Sequence, residues 1–433
     1  MQEPATLSPP HRRFKHRRKV VAGILLAALA CGAWRFVISP TYWRVATFPQ
    51  YQEDYSYAVF YDGLQPCVNG FCLREGKFSF VLRDWQRGRE VWRVTSAQPD
   101  TRGWPPSDND EASYAYAASI SPSGRVLAVM SAAGRKARVQ SWRDGKLLGE
   151  VLIPIPPASP PAPTLSFWPH AEKSDHLCSA SVRACDDGRC FLTLEMLPAG
   201  QKGPVSHLFL VRGGSTVATG ATPDYCLLAP DGHSAIRYGG ADRLCLLTVS
   251  RRRLIFSKDQ PLVMCMTCTR GMAVTETGIL RLNGSTTPFT GTWEPDEVCP
   301  STTHATIYQE NRLRSVEVAT GKYWQITLPS DYELQGGDPT EDGRHLLAYY
   351  RPEPSRLLQQ FVRLVPAFAP QLQERLDPDE APKYIALYRR PHRRLAAMRI
   401  DRYKPSSWWP SPDGRTVVIG TEKGCRLLRY AGP

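Results

Sequence analysis

The sequence lacks the local motifs of several large enzyme classes. It contains no G-x-S-x-G nucleophile elbow, no H-E-x-x-H pair, no G-x-x-x-x-G-K-[ST] phosphate loop and no EF-hand calcium loop. Its histidines are scattered, and the acidic residues Asp108, Asp110 and Glu111 lie in a predicted loop, where solvated side chains are expected. The sequence therefore favours a protein that binds over one that catalyses, and it predicts no cofactor.

One apolar run has the composition of a membrane segment. Residues 1–19 carry six Lys or Arg and one Glu, and Val20 to Trp34 follow without a charge. The run continues past Arg35 to Ile38, which is near the lower limit for a membrane span. The basic flank is expected to stay in the cytoplasm. We therefore predict a basic cytoplasmic tail over 1–19, a transmembrane signal anchor over 20–38 and an extracytoplasmic domain over 42–433 in the cell membrane.

Two alternatives to a retained anchor remain open. Ala28-Leu29-Ala30 fits the small-x-small pattern of a cleaved signal peptide. Cys31 follows directly and is a candidate for lipidation, although Ala28 stands where bacterial lipoboxes prefer leucine. All three outcomes predict an exported domain.

A short turn motif recurs through that domain. It reads Pro-Ser-Gly-Arg at 122–125, Pro-Asp-Gly-His at 230–233, Glu-Asp-Gly-Arg at 341–344 and Pro-Asp-Gly-Arg at 412–415. The glycine supplies the positive φ that tight hairpin turns need. Apolar strands such as 126–130 follow the turns, and hairpin-sized segments come 10–20 residues later. Together these units predict four short antiparallel strands per repeat.

The motif resembles that of a known class of repeat proteins. Ser121 to Arg125 and Ser411 to Arg415 are similar to the turn of TolB-like and WD-type β-propeller repeats, and Val139 to Leu147 is similar to their third-to-fourth strand hairpin. The Gly-His and Trp-Asp pairs of the full WD signature are absent. The resemblance implies an all-β fold, a β-propeller of four-stranded antiparallel blades, and says almost nothing about the ligand.

Eight blades are favoured, with seven as the alternative. The aligned turn glycines are Gly70, Gly124, Gly188, Gly232, Gly271, Gly343 and Gly414, and a turn without glycine is expected near Ser301-Thr302. Pro-rich insertions are predicted near 153–163 and 351–382. Because the chain ends after a third strand, residues 42–47 are expected to supply the fourth strand of the last blade and close the ring.

Two pairs of cysteines bracket predicted turns. Cys67 and Cys72, like Cys185 and Cys190, share the pattern C-x-[ND]-G-x-C. A two-residue turn would place the members of each pair directly opposite each other, close to disulfide distance. Export makes such disulfides plausible, and the alternative is two reduced thiols packed as small apolar side chains.

A third cysteine pair forms a lone C-x-x-C. Cys265 and Cys268 lack the second cysteine cluster or the histidine pair that zinc sites usually add. We therefore predict a structural disulfide or buried thiols here, and no metal.

The chain has a net charge of +13, and its local basic clusters are 251–253 and 389–394. Both clusters fall in predicted turns between outer strands, where the alternatives are a solvated rim and attraction to anionic partners such as lipid headgroups or acidic polymers. Nucleic acid is not an expected partner, because the anchor places the domain outside the cytoplasm. The predicted function is a membrane-anchored, extracytoplasmic, non-enzymatic scaffold for a protein or polymer of the bacterial envelope. The alternative is an envelope hydrolase or lyase with its site at the mouth of the propeller channel.

Overall fold

The computed structural model describes most of the chain from Tyr42 onward. The described residues are 42–49, 64–104, 115–156, 176–197, 205–229, 232–238, 242–262, 265–269, 271–275, 277–291, 294–298, 303–330, 332–340, 343–352, 384–390, 393–400, 405–421 and 424–430. These ranges contain 32 strands, and none of their residues forms a helix with the length and hydropathy needed to cross a bilayer. The predicted tail and anchor at 1–19 and 20–38 lie outside them, as do most residues of the two predicted insertions.

The strands form eight four-stranded antiparallel units, which we call blades 1 to 8. The first strand of the chain is β1 (Tyr42–Phe48). Blade 1 contains β2 (Leu64–Cys67), β3 (Gly70–Gly76), β4 (Ser79–Asp84) and β5 (Glu90–Thr95), and blade 2 contains β6 (Tyr116–Ile120), β7 (Val126–Ala133), β8 (Lys136–Arg143) and β9 (Lys146–Pro154). Blade 3 contains β10 (His176–Ala184), β11 (Arg189–Leu197), β12 (Val205–Arg212) and β13 (Ser215–Thr222), and blade 4 contains β14 (Tyr225–Leu228), β15 (Ser234–Tyr238), β16 (Arg243–Ser250) and β17 (Arg253–Pro261).

The remaining blades repeat the same meander. Blade 5 contains β18 (Cys265–Thr269), β19 (Met272–Thr275), β20 (Gly278–Arg281) and β21 (Thr286–Pro288), and blade 6 contains β22 (Glu294–Val298), β23 (His304–Gln309), β24 (Arg312–Glu317) and β25 (Tyr323–Thr327). Blade 7 contains β26 (Tyr332–Pro339), β27 (His345–Pro352), β28 (Tyr384–Arg389) and β29 (Arg393–Arg399). Blade 8 contains β30 (Pro405–Pro410), β31 (Thr416–Thr421) and β32 (Gly424–Tyr430). Within each blade the strands are called a to d in order from the centre, because the a strands of most neighbouring blades contact each other.

The two ends of the described chain meet in blade 8. β1 is its d strand and runs antiparallel to β32, with Tyr42 opposite Tyr430 and Phe48 opposite Cys425. The sheet order is therefore β1-β32-β31-β30. This pairing confirms the prediction that residues 42–47 complete the last blade, and it leaves no open seam in the ring.

Eight hydrophobic cores hold the ring together, and each lies between two neighbouring blades. One core packs Phe80 and Trp92 of blade 1 against Leu127 of blade 2. The same arrangement recurs between each successive pair of blades. The eighth core joins Phe71 of blade 1 to Val418 of blade 8. A closed succession of interblade cores is the architecture of a propeller, and the described residues form eight blades.

The burial of the strands follows their place in the blade. The b strand β31 is buried at every position, as predicted for an apolar run packed on both faces. The d strand β9 is exposed at most positions, because it forms the outer edge of its blade. Blades 3 and 4 also share a single parallel pair between their d strands, Thr219 with Arg253, so their eight strands form one hydrogen-bonded sheet.

Candidate interaction surfaces

The recurring turn motif forms the connection between the a and b strands. In blade 2 the amide of Gly124 donates to the carbonyl oxygen of Ser121 at 2.8 Å, and blade 8 repeats this bond between Gly414 and Ser411. The hydroxyl oxygen of the first residue accepts a further bond from the amide five residues on, at 3.1 Å from Val126 in blade 2. Blades 7 and 8 make the same bond through Thr340 and Ser411. The hydroxyl residue before the tetrapeptide is therefore part of the turn.

The turn glycines serve packing as well as backbone conformation. Gly124, Gly188, Gly232, Gly271, Gly343 and Gly414 all have φ between +62° and +87°. A Cβ at Gly124 would lie 2.4 Å from the Sγ of Cys67 in the preceding blade, and a Cβ at Gly232 would lie 2.5 Å from the Sγ of Cys185. These turns pack directly on the neighbouring blade, so a side chain is excluded there.

Gly70 differs from the other six glycines. Its φ is not positive, because Cys67 pairs directly with Gly70 and the turn residues are Val68 and Asn69. A Cβ on Gly70 would lie 2.0 Å from the carbonyl oxygen of Arg83, so close approach of the next strand requires glycine. Gly70 thus lies in the expected blade, but it is the first residue of β3 and not the second residue of the turn. The eighth expected turn, at Ser301-Thr302, lies outside the described residues.

The predicted opposition of the bracketing cysteines was wrong. Cys72 lies opposite Gln65, and Cys67 lies opposite Gly70, so the two thiols are diagonal neighbours. Diagonal neighbours lie about 7–8 Å apart, with their Cβ atoms somewhat closer, whereas the Cβ atoms of a disulfide lie about 3.5–4.5 Å apart. In the second bracket Cys190 lies opposite Ala184, one position from Cys185. All four thiols are buried.

Burial makes these thiols poor nucleophiles. It raises the pKa of Cys67 to about 12 and that of Cys190 to about 12. The Cys67 thiol donates to the carbonyl oxygen of Gly70 at 3.0 Å. The thiols therefore act as packing groups at the turns. Cys265 and Cys268 both lie on the a strand β18, and their side chains lie outside what the structure describes.

One end of the propeller carries only short turns. Strands in a blade alternate in direction, so the a–b and c–d turns lie at the same end. Contacts between the turns of neighbouring blades show that the blades share this orientation: the Val68 amide donates to the Pro122 carbonyl oxygen at 2.8 Å, and the Ser123 amide donates to the Asp186 carboxylate at 3.0 Å. No connection here exceeds five residues. We call this the turn end.

The c–d turns give the turn end a basic rim. Exposed arginines lie at these turns in five blades. They are Arg87 and Arg89 in blade 1, Arg212 in blade 3, Arg251, Arg252 and Arg253 in blade 4, Arg389, Arg390 and Arg393 in blade 7, and Arg429 at the equivalent place in blade 8. Arg125 and Asp144 form an exposed ion pair at 2.8 Å, whereas no described carboxylate forms a salt bridge with Arg251, Arg389 or Arg429. Both predicted basic clusters thus lie on this rim.

The opposite end carries the long connections. Those at 49–63, 96–115, 155–175 and 353–383 all leave from and return to this end, because they follow d or b strands. Their sequences contain acidic groups that include Glu53, Asp54, Asp108, Asp110 and Glu111. We call this the loop end. Both predicted Pro-rich insertions are attached there.

Two exposed apolar side chains lie on an inner strand that begins at the loop end. Tyr225 and Leu227 on β14 are 43% and 42% exposed. They share one face of the strand because they are two residues apart. Tyrosine is enriched among the side chains that dominate protein–protein binding, so this pair is a candidate contact for a partner.

Within the described ranges, no group of three His, Cys, Asp or Glu side chains could hold a metal ion. Gln65, on an inner strand, accepts a bond from the amide of Ile120. Glu195 is buried, its pKa is raised by that burial, and the Ser179 hydroxyl donates to it.

Sequence reasoning missed the exposed pair on β14 and the asymmetry between the ends. The available signal for the asymmetry was the length of the connections, which alternates between short turns and long segments along the chain. The exposed pair had no signal, since an inner strand of a propeller is expected to be covered.

Comparisons with known proteins give distant similarities. No family model matches the chain, and no curated protein matches it. The crystal structure of the C-terminal WD40 domain of Sif2 is 9% identical, with 91% of this chain and 99% of that chain covered and a TM-score of 0.49. BamB from Moraxella catarrhalis is 9% identical, with 90% and 100% covered and a TM-score of 0.41. The β-propeller domain of Cps50 (Swd1) from Myceliophteria thermophila is 9% identical, with 90% and 99% covered and a TM-score of 0.41. The propeller assignment rests on this chain's own strand pairing and its eight interblade cores.

Proposed function

We propose that this protein is a membrane-anchored, extracytoplasmic scaffold that binds a protein or polymer of the bacterial envelope through its loop end. The observation that carries the proposal is the attachment of every long connection to one end of the ring. Binding residues concentrate on loops held by a rigid framework, and the eight packed blades supply that framework. Tyr225 and Leu227 add exposed apolar area near the same end.

The anchor part of the proposal is supported by the sequence order of residues 1–38. Six basic residues precede the apolar run, which favours a cytoplasmic N-terminus and an exported propeller. Reporter fusions at the C-terminus, combined with membrane fractionation, test this topology. Activity of an export-dependent reporter is expected. A cytoplasmic C-terminus would contradict both the location and the envelope partner.

The binding part is tested by capture of partners from solubilised envelope fractions. The full chain is compared with Tyr225→Ala/Leu227→Ser, and a second variant replaces residues 353–383 with a short Gly-Ser linker. Tyr225 and Leu227 belong to neither core beside blade 4, so the double variant is expected to fold. Circular dichroism checks the folding of both variants. At least one variant is expected to lose a partner that the parent chain captures reproducibly.

A matched control changes exposed apolar residues at the turn end. Val249 and Ile255 are 48% and 44% exposed, close to the exposure of the β14 pair. Val249→Ser/Ile255→Ser is expected to retain the partner. Equal loss from both double variants would indicate nonspecific hydrophobic capture. Absence of any specific partner with the parent chain would refute the scaffold function.

A further inference from the structure

The basic rim of the turn end lies where the N-terminal segment joins the propeller. Tyr42, the first residue of β1, pairs with Tyr430, the last residue of β32. This position corresponds to the c–d turn of the other blades, since β32 and β1 are the c and d strands of blade 8. The neighbouring Tyr430 amide donates to the carbonyl oxygen of Arg415 at 2.7 Å. The chain therefore enters at the turn end, beside exposed arginines.

The segment between the apolar run and β1 is short. Residues 39–41 alone separate Ile38 from Tyr42. Four extended residue steps span at most roughly 14 Å. If residues 20–38 cross the bilayer, the start of β1 lies within that distance of the end of the span, and the turn end is the end nearest the membrane.

The rim is basic on opposite sides of the ring. Blade 8 contributes Arg429, and blade 7 contributes Arg389 and Arg390. Blade 4, halfway round the ring of eight, contributes Arg251 and Arg252. A surface with cations on both sides can lie flat against an anionic plane. Each arginine near an anionic membrane surface increases binding by roughly fivefold.

Exposed apolar side chains lie beside the same turns. Val249 and Ile255 flank the turn of blade 4, Leu147 and Leu148 follow the turn of blade 2, and Tyr323 follows the turn of blade 6. Elsewhere, cations next to exposed apolar side chains are typical of surfaces that insert into the boundary between headgroups and acyl chains. An acidic polymer would not need the apolar component, so the combination favours lipid.

The turn of blade 4 keeps its arginines in an unfavourable conformation. Arg251 and Arg252 have φ of +48° and +61° and form the two-residue loop between Ser250 and Arg253. Asparagine and glycine are the usual residues at such positions because side-chain sterics disfavour the left-handed region. Strained residues of this kind concentrate at functional sites.

We propose that the basic and apolar rim of the turn end docks the propeller onto an anionic phospholipid surface. This inference rests on the proposed anchor, and it orients the loop end away from the membrane. The rim residues that carry it are Arg251, Arg252, Arg389, Arg390 and Arg429.

Hydrogen–deuterium exchange of the full chain in lipid nanodiscs tests the docking. Nanodiscs of phosphatidylcholine are compared with nanodiscs containing about one-third phosphatidylglycerol. Amides of 249–255 and of 389–390 are expected to exchange about fivefold or more slowly in the anionic discs, because docking covers these turns. The difference is expected to disappear at 1 M salt, where the Debye length falls to about 3 Å.

Two charge-matched variants locate the effect. Arg251→Asn/Arg252→Gly is expected to lose most of the lipid-dependent protection of 249–255. Lys77→Ser/Arg135→Ser removes the same charge from turns between b and c strands at the loop end, and full protection is expected. Equal protection by both lipids, or equal loss from both variants, would overturn the docking. So would equal protection by soluble polyglutamate without anionic lipid.

Incorporation into nanodiscs distinguishes a failure of the proposed anchor from a failure of the docking inference. If the chain does not co-purify with nanodiscs of either composition, the proposed anchor is wrong, and the docking inference falls with it. If the chain is incorporated but shows no lipid-dependent protection, only the docking inference is wrong.

Discussion

The two ends of the propeller are built from connections of different kinds. At the turn end, glycines pack against the preceding blade, and no connection exceeds five residues. At the loop end, connections such as 353–383 leave and return with no such restriction on length. The turn end therefore contributes to the interblade packing through tight turns. The loop end accommodates long connections, and the described part of one of them places Trp104 against the core between blades 2 and 3. The two ends thus differ in the length of connection that they accommodate.

The difference in packing between the turn end and the loop end is tested most strongly by adding one methyl group at each end of blade 2. Gly124 lies at the turn end and Gly134 at the loop end, and their φ values are +80° and +62°. Gly134→Ala is expected to lower the free energy of unfolding by about 1–2 kcal/mol through the left-handed conformation alone. Gly124→Ala also forces a Cβ to 2.4 Å from the Cys67 Sγ, and a total of about 2–5 kcal/mol is expected. Urea denaturation measures both.

A double variant isolates the packing contribution. In a Cys67→Ala background the sulfur is absent, so Gly124→Ala should cost only about 1–2 kcal/mol, like Gly134→Ala. Equal losses for the two single variants would contradict the claim that the turn end is packed more tightly than the loop end.

Strain on the basic rim gives the next largest effect. Arg251→Asn/Arg252→Gly keeps the two-residue turn and supplies residues that favour positive φ, so the free energy of unfolding is expected to rise by about 1–2 kcal/mol. The reverse change, Gly284→Arg at the c–d turn of blade 5, where φ is +84°, should lower it by a similar amount. Thermal unfolding compares the two. A loss of stability in the first variant would show that the arginines stabilise their turn.

Two carboxyls of the loop end are expected to respond to pH with opposite signs. Burial raises the pKa of Glu195, whereas the Arg351 guanidinium lowers the pKa of Glu333. The contribution of Glu195 to stability is fully present below the unfolded pKa of about 4.3 and is lost as the pH rises through its raised folded value. The contribution of Glu333 is present above that unfolded pKa and is lost as the pH falls through its lowered folded value.

Glutamine substitutions separate these two carboxyls. Glu195→Gln is expected to stabilise the chain at pH 7 relative to pH 4, because it removes the buried negative charge. Glu333→Gln is expected to destabilise it at pH 7, because Arg351 loses its 2.7 Å ion pair. Denaturation midpoints at the two pH values provide the measurement, and a common sign for both variants would contradict the assigned environments.

The sequence predicted the blades and the closing strand because both depend on local turn chemistry and on strand order. The positive φ of Gly124 and the pairing of residues 42–47 follow from such local patterns. The opposition of Cys67 and Cys72 was not predictable, since one residue of register decides it and Asn69-Gly70 is compatible with either turn. The exposure of Tyr225 depends on packing between blades, which no local pattern encodes.

The smallest expected effect concerns the exposed charges of the turn end. Arg125 and Asp144 are 59% and 49% exposed and lie 2.8 Å apart. Arg125 lowers the pKa of Asp144, so this pair stabilises the fold above the unfolded pKa of about 3.9 and loses that contribution as the pH falls. Asp144 also has φ of +49°, which asparagine tolerates equally well. Asp144→Asn therefore removes the charge without changing the backbone preference, and about 0.2–1 kcal/mol should be lost at low salt. The loss is expected to vanish at 1 M salt, where the pair is screened. A larger loss that persists in salt would mean that the turn end depends on its ion pairs as well as on its glycine packing, and the contrast with the loop end would then be electrostatic as well as steric.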